Sequence, residues 1–273
     1  MLLCGAIGAL AVLVNAAPVT DKNENQLKVL MVGNSFSICC LDFTPQIAAN
    51  LGYNLDLASI YIGGCSLERH CKNFQSEEKG EAPGIKKPYR YDRSVANVRT
   101  VSKNKISLIE ALTNTVWDVV TIQQASHASW NPQTYEPWGD QLIAAIRKYA
   151  PKAKILVQET WSYPPWDGRL KKFGFDGPEM YKRLHQTYGD FAQKRGLEII
   201  PTGTAAEIVT NRNQLFTKPD FHFNKVGTYL QGLVWAGKLF NVDPRKCTYT
   251  PSFVTEKRVK ELQESAAQAL GLR

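Results

Sequence analysis

Five short apolar runs, separated by longer segments of helical period, limit most strongly what this chain can fold into. The runs lie at about 27–32, 55–61, 117–122, 153–158 and 197–202. Helices are predicted at about 44–51, 106–114, 134–150, 177–195, 205–211, 226–240 and 255–270. Strands that alternate with helices pair in parallel, and short apolar strands suit a sheet covered on both faces. The sequence therefore predicts an α/β fold, a three-layer doubly wound sandwich with a mainly parallel five-stranded sheet.

The start of the chain differs in composition from the rest. Residues 2–14 are apolar, a stretch too short to span a bilayer, and small residues follow it. This pattern indicates a signal peptide over residues 1–16 and a linker over 17–26, with a buried N-terminal helix as the alternative. We therefore expect a secreted or periplasmic protein in which residues 27–273 form a single domain.

Residues 72–105 interrupt the alternation with a long segment rich in Lys, Glu, Gly, Pro and Tyr. A strand-to-helix connection of this length is uncommon unless it is functional or disordered. Because the segment carries Tyr89, Arg90 and Tyr91, we predict an insertion that forms a flap beside the functional site.

Charge and cysteine content exclude several classes of protein. The net charge is +8, which favours anionic partners, but the charges are scattered and no nucleic-acid-binding motif accompanies them. Five cysteines follow residue 16 without a CxxC pair, which excludes a zinc ribbon and a simple disulfide scaffold. Cys65 and Cys71 either form a disulfide or are small buried thiols.

Ser35 directly follows the first predicted strand, at the sheet edge where doubly wound folds bind ligands. A serine here is either a helix N-cap or a nucleophile, and a nucleophile needs a histidine base oriented by a carboxylate. His222 is the strongest candidate of the four histidines, because Asp220 precedes it closely and a polar turn opens the next helix.

The other candidate side chains are less informative. His185 lies within a predicted helix and is expected at the surface. His70 follows the second strand, where substrate contact and a structural hydrogen bond are both open, and His127 follows the third strand and is expected to line the pocket. Cys39 and Cys40 are rival nucleophiles near a helix start, but without a visible histidine partner we favour buried thiols.

The segment Gly33-Asn34-Ser35-Phe36 resembles the first block of the GDSL-like, or SGNH, hydrolases, with Asn in place of the usual Asp. The sequence "PDFHFN" near the C-terminus is similar to their last block. The chain most resembles a little-characterised secreted branch with GNSFS, YIGGCSLERH and QQxSH blocks. The matching segments here are Tyr61–His70, Gln123–His127, Glu159–Trp161 and Pro201–Ala205.

This resemblance implies a flavodoxin-like fold, esterase activity and no cofactor or metal. It implies Ser35 as nucleophile, His222 as general base, and an oxyanion hole formed by the N–H groups of Ser35 and Gly64 with a glutamine amide. The superfamily places its acid three residues before the base, so a triad with Asp220 and a Ser–His dyad are both open. The glutamine is Gln123 or Gln124, and the expected substrate contacts are Asn34, His70, His127 and Trp161.

Aromatic residues beyond the sheet suggest the substrate. A shallow groove that stacks sugar faces is predicted from Trp130, Trp161, Tyr163, Pro164-Pro165 and Trp166, with packing beneath the loops as the alternative for each ring. We expect an esterase that removes an O-acetyl group from carbohydrate, or that hydrolyses another small ester. A non-catalytic glycan-binding relative and an O-acyltransferase are the alternatives, and the oligomeric state is not predicted.

Overall fold

The computed structural model describes residues 25–80, 87–95 and 98–273, with the side chains of 102–104 left aside. Within these residues a single sheet has the strand order β4-β3-β2-β1-β5-β6-β7. Five of its strands run parallel to one another, whereas β3 and β4 are antiparallel to their neighbours. The strands are β1 (Gln26–Gly33), β2 (Asn54–Tyr61), β3 (Tyr89–Val95), β4 (Val98–Ile106), β5 (Val119–Ile122), β6 (Lys154–Gln158) and β7 (Glu198–Ile200).

The α-helices cover both faces of the sheet, which gives the predicted three layers. On one face α2 packs against α9, and α9 against α10; on the other, α3 packs against α4 and α5. The helices are α1 (Ser35–Ile38), α2 (Cys40–Asn50), α3 (Leu67–Glu78), α4 (Leu108–Thr113), α5 (Trp138–Tyr149), α6 (Gly168–Phe173), α7 (Gly177–Lys194), α8 (Thr202–Ile208), α9 (Lys225–Phe240) and α10 (Glu256–Ala269).

The predicted fold class is confirmed, and all five predicted strands are present as the parallel part of the sheet. The central strand β1 is apolar and buried from Val29 to Gly33, because helices cover both of its faces there. The predicted number of strands was wrong: the sheet has seven. The two additional strands come from the segment predicted as an insertion.

Strands β3 and β4 form an antiparallel pair that extends the sheet beyond β2. In β3 the buried and exposed side chains largely alternate, as expected of a strand with one face on the core. The start of the predicted insertion lies within α3. The part of the segment that carries Tyr89, Arg90 and Tyr91 therefore belongs to the sheet and is not a flap, although Arg90 pairs with Tyr61 at the carboxyl end of β2.

The predicted signal peptide, residues 1–16, lies outside the described residues, as does most of the predicted linker. The linker's last residue, Gln26, begins β1. In the part of the chain that the structure covers, no helix is long and apolar enough to cross a bilayer.

Candidate active site

The turn after β1 presents Ser35 as the first residue of the short helix α1. Asn34 caps this helix, because its Oδ1 accepts a hydrogen bond from the Phe36 N–H at 3.0 Å. The Asn34 Nδ2 group donates to the Cys65 carbonyl at 3.0 Å, which joins this turn to the turn after β2. Ser35 itself is half-buried. The local structure thus fixes the backbone on both sides of its hydroxyl.

Two buried glutamines hold the other side of the turn. Gln158, the last residue of β6, and Gln231, within α9, both donate through Nε2 to the Phe36 carbonyl, at 2.9 and 2.7 Å. Gln231 Oε1 also accepts a hydrogen bond from the Cys39 thiol at 2.9 Å. The backbone next to Ser35 is therefore anchored to two segments that are distant in sequence.

A small hairpin brings His222 to the same sheet edge. Phe216 and Phe223 form an antiparallel bridge, and the Thr217 N–H donates to the His222 carbonyl at 3.0 Å. Asn224 ends the hairpin and caps α9 by accepting from two backbone N–H groups. Within this frame His222 Nε2 lies 2.8 Å from Ser35 Oγ. The two residues, 187 positions apart, are thus in hydrogen-bonding contact.

Asp220 reaches the opposite nitrogen of the same ring. Its Oδ2 lies 2.8 Å from His222 Nδ1, and its Oδ1 accepts from the Phe221 N–H at 2.6 Å. Partial burial raises the pKa of Asp220, but the hydrogen bonds from His222 and the Phe221 N–H outweigh it and lower the pKa below its usual value. Of the two arrangements left open by the sequence, the structure contains the Ser–His–Asp array.

Two tryptophans anchor the hairpin through hydrogen bonds from their indole N–H groups. The indole N–H of Trp161 donates to the Phe221 carbonyl at 3.0 Å, and that of Trp166 donates to the Asp220 carbonyl at 3.1 Å. Trp161 has no exposed surface and stacks between Phe36 and Phe223, with ring centroids 4.0 and 3.6 Å apart. These rings fix the backbone that carries His222.

The prediction of a groove that stacks sugar rings was therefore wrong for Trp161 and Tyr163. Trp161 and Tyr163 are fully buried, and the Tyr163 hydroxyl is hydrogen-bonded to Ser126 at 2.8 Å. Trp130 is half-buried and packs against Phe173 and Phe175. Trp161 is thus not a substrate contact, because packing beneath the loops removes its ring faces from solvent.

Three further residues were predicted for the oxyanion hole, and they follow the ends of β2 and β5. Gly64 is exposed and has φ +61°, in the left-handed region that favours glycine. Gln123 is buried against Gly33, and its Nε2 donates to Asn34 Oδ1 at 2.6 Å. The prediction that Gln124 is an oxyanion-hole donor was wrong. Its Nε2 donates to the Thr134 carbonyl and hydroxyl, which leaves no N–H for a substrate.

Asn34 and His70 are also not substrate contacts. Asn34 is buried, and its amide is committed to Cys65, Phe36 and Gln123. His70 is fully buried, its Nδ1 contacts the Tyr89 hydroxyl at 3.0 Å, and burial lowers its pKa to about 3. Both side chains hold the fold around the site.

His127 is exposed near Arg169. Partial desolvation and the Arg169 charge lower the pKa of His127. His185, expected at the surface, is largely exposed, and its Nδ1 lies 2.7 Å from the buried Glu159 carboxylate. Of the predicted substrate contacts, His127 is the one whose side chain is accessible.

The cysteines are free thiols throughout the described residues, so Cys65 and Cys71 are not paired with each other. Burial raises the pKa of the Cys39 thiol to about 12 and holds that of Cys40 well above its usual value. A thiol in this state is a poor nucleophile, which leaves Ser35 without a rival at this turn.

Sequence reasoning missed the two glutamines and Arg169. Gln158 follows the apolar run Ile155–Val157, and Gln231 precedes the apolar run 232–237, so an isolated amide beside an apolar run was the available signal. Arg169 lies over the Phe221 ring, its guanidinium carbon 3.6 Å from the ring centroid, and over Tyr163 at 4.4 Å. No sequence pattern indicated that this arginine in the first turn of α6 packs on the ring that precedes His222.

Solved structures with a similar fold span most of the chain. A DUF4886 family protein from Bacteroides uniformis has a TM-score of 0.81 and 24% identity, with 90% of this chain and 95% of that chain covered. A provisionally assigned SGNH hydrolase from Slackia heliotrinireducens has a TM-score of 0.55 and 21% identity, covering 79% and 100%. A family 3 carbohydrate esterase from Clostridium thermocellum has a TM-score of 0.51 and 11% identity, covering 79% and 98%.

These likenesses establish a shared fold with SGNH-type hydrolases. No functionally curated protein matches the chain. The family model described as "Domain of unknown function (DUF4886)" matches residues 28–269, which is nearly the whole of the folded chain. This protein therefore belongs to the DUF4886 family.

Proposed function

We propose that this protein is a serine esterase of the SGNH type that removes O-acetyl groups from carbohydrate outside the cytoplasm, after cleavage of residues 1–16. The observation that carries the proposal is the continuous array from Ser35 Oγ through the His222 ring to Asp220, with both contacts at 2.8 Å. A hydroxyl, an imidazole and a carboxylate in this order are the parts of a serine hydrolase.

In the proposed mechanism, Ser35 Oγ attacks the ester carbonyl while His222 Nε2 takes its proton. Asp220 keeps the second ring nitrogen protonated and stabilises the imidazolium that forms. The imidazolium then donates its proton to the departing sugar oxygen, leaving an acetyl-enzyme. Water attacks this ester with His222 again acting as base, which releases acetate and regenerates the serine.

The tetrahedral anion needs donors aimed at its oxygen. Ser35 is the first residue of α1, a position whose N–H has no acceptor within the helix, and Gly64 presents its backbone in the adjacent turn. We assign both N–H groups to the oxyanion hole and keep Gln123 as a proposed third donor: its Nε2 gives one hydrogen to Asn34, and substrate would reach the other only where this almost fully buried amide, 2% exposed, borders the turn that carries Ser35. In related chemistry a single such donor contributes roughly 3–4 kcal/mol.

Hydrolysis is favoured over acyl transfer by the openness of the site. The side chains of His222 and Asp220 are 34% and 44% exposed, so water has access to the imidazole that would activate it. A shallow site of this kind suits a small acyl group carried on a large polymer. The carbohydrate assignment is supported by polar side chains at the rim, Arg169 and His127, and by the carbohydrate esterase among the proteins of similar fold.

The decisive test compares p-nitrophenyl acetate turnover by wild type, Ser35→Ala and Ser252→Ala, whose serine is exposed and outside the site. We expect wild type and Ser252→Ala to be equal and Ser35→Ala to lose roughly 10³-fold or more. A fluorophosphonate probe should label wild type but not Ser35→Ala. Equal rates in wild type and Ser35→Ala, or glycan binding without turnover by wild type, would overturn the proposal.

A further inference from the structure

Two arginines lie on opposite sides of the strand that leads to Ser35. In the strand order, β1 and its serine turn lie between β2 with β3 on one side and β5 with β6 on the other. Arg90 belongs to β3, and Arg169 begins the helix α6 that follows β6. Each guanidinium lies over an aromatic ring that borders the site.

Arg169 is held in one orientation. Its Nε donates to the Asp167 carboxylate at 2.8 Å, Nη2 donates to the second oxygen, and the Phe221 ring supports its face. Phe221 precedes the base, and its ring centroid lies 4.1 Å from that of His222. Nη1 has no protein acceptor among the described residues, and the side chain is 35% exposed. Arg169 therefore presents a pre-oriented pair of N–H donors next to Phe221 and within the electrostatic reach of Asp220, the two residues that precede His222.

Arg90 is arranged in the same way near the turn that carries Gly63 and Gly64. Its Nη2 donates to Asp92 at 2.9 Å, and its guanidinium carbon lies 4.5 Å from the centroid of the Tyr61 ring. The Tyr61 hydroxyl approaches Gly63, within 3.4 Å of where a Cβ would lie, next to Gly64. Asp92 is fully buried, whereas Arg90 is 44% exposed. Its remaining donors thus face solvent next to the expected oxyanion hole.

The rim groups outside the array are therefore donors. Arg90 and Arg169 have no acceptor atoms, and His127, exposed near Arg169, adds a ring that can donate. A neutral sugar offers hydroxyls that both donate and accept, whereas a carboxylate only accepts, and guanidinium N–H groups bind it most strongly. Ring stacking and the aspartate contacts also reduce the conformational entropy that each arginine would lose on binding.

We propose that the ester substrate is an acidic carbohydrate whose carboxylate binds Arg169. Arg90 is then available to bind a second carboxylate of the same polysaccharide. The inference rests on the proposed function and specifies its substrate class. The net charge of +8 acts in the same direction, because it favours the approach of a polyanion.

The test uses two substrates that differ in one charge: tri-O-acetyl methyl glucuronide as the free carboxylate and as its carboxamide. Acetate release gives kcat/KM for each. We expect wild type to favour the carboxylate roughly tenfold, a preference that falls at high salt. Arg169→Met should reduce the ratio of the two kcat/KM values roughly tenfold. On acetylated polygalacturonate, a polymeric substrate, Arg90→Met should reduce kcat/KM relative to wild type.

Arg183→Met is the matched control, because Arg183 also pairs with a carboxylate and lies over an aromatic ring, Phe175 at 4.7 Å, but on α7. This variant should keep the wild-type ratio. Equal kcat/KM for both substrates in wild type, or equal losses on both in Arg169→Met, would overturn the inference. The wild-type comparison requires no variant to fold, and turnover that depends on Ser35 would leave the proposed function intact.

Discussion

The Asp220 carboxylate lies 2.8 Å from His222 Nδ1, although only Phe221 separates the two residues in sequence. The hairpin closed by the Phe216–Phe223 bridge makes this possible, because it turns the chain back on itself between the two side chains. A spacing of two residues is thus sufficient for the carboxylate to orient the ring. The same contact makes the role of Asp220 directly testable.

Asp220→Asn should lower kcat with little effect on KM, since the asparagine amide favours the wrong tautomer of His222. Because the Asp220 side chain is 44% exposed, solvent partly replaces it, and we expect a loss of roughly 10²-fold instead of the larger loss seen at buried sites. Steady-state kinetics on p-nitrophenyl acetate measure this. Asp190→Asn, on the exposed surface of α7, is the control, and equal kcat in both variants would exclude a triad.

Trp166→Phe should impair turnover without unfolding the protein. The substitution keeps a ring but removes the N–H that donates to the Asp220 carbonyl, so the hairpin loses one of its anchors. We expect kcat to fall severalfold and the free energy of unfolding by about 1 kcal/mol. Trp130→Phe provides the comparison, because the Trp130 indole N–H has no hydrogen-bond partner among the residues that the structure describes. A larger loss of kcat in Trp130→Phe than in Trp166→Phe would contradict this account.

Gly203→Ala should destabilise the fold strongly. A Cβ at this position would lie 2.1 Å from the Thr160 carbonyl oxygen, and backbone at that distance must shift. We expect a loss of about 2–3 kcal/mol in urea unfolding. Gly189→Ala, within α7 and with open space around its Cβ, should instead gain about 0.5–1 kcal/mol. The prediction fails if the two substitutions shift the urea midpoint in the same direction.

The His185–Glu159 contact should stabilise the protein at low pH. The hydrogen bond to Glu159 raises the pKa of His185 above its usual 6.5. A raised folded-state pKa gives stabilisation that is complete below the unfolded value and is lost as pH rises through the folded value. Because the His185 side chain is 57% exposed, we expect less than about 1 kcal/mol.

Thermal unfolding of wild type and His185→Gln between pH 5 and 9 checks this. The difference in Tm should be largest below pH 6.5 and should shrink above it. His127→Gln serves as a control, because the pKa of His127 is lowered and its protonation gives no such stabilisation. A Tm difference for His185→Gln that grows with pH would contradict the assignment.

The parallel part of the fold could be predicted from the sequence because each of its strands is a compact apolar run. The position of Ser35 also followed from a general rule, since the carboxyl ends of parallel strands meet at one edge. The antiparallel strands β3 and β4 were missed because their polar residues, such as Asp92, are buried by ion pairs that no local pattern reveals.

Contacts of the aromatic and amide side chains could not be predicted in the same way. Whether a tryptophan faces solvent or a neighbouring ring depends on segments distant in sequence, as the packing of Trp161 between Phe36 and Phe223 shows. Gln124 and Gln123 are adjacent in sequence, yet one is held by Thr134 and the other lies against Asn34. Neighbouring side chains in an extended segment point to opposite sides, so these two amides meet different parts of the protein. Their partners are determined by those tertiary contacts.

The Phe36 carbonyl is held jointly by Gln158 and Gln231, so the geometry around the serine depends on parts of the polypeptide made much later. During biosynthesis the first strand leaves the ribosome well before residue 231 is added. A nascent chain, or one that ends before α9, therefore lacks the hydrogen bond from Gln231 to the Phe36 carbonyl. The geometry of the candidate active site is therefore complete only after α9 has been synthesised and has packed against the sheet.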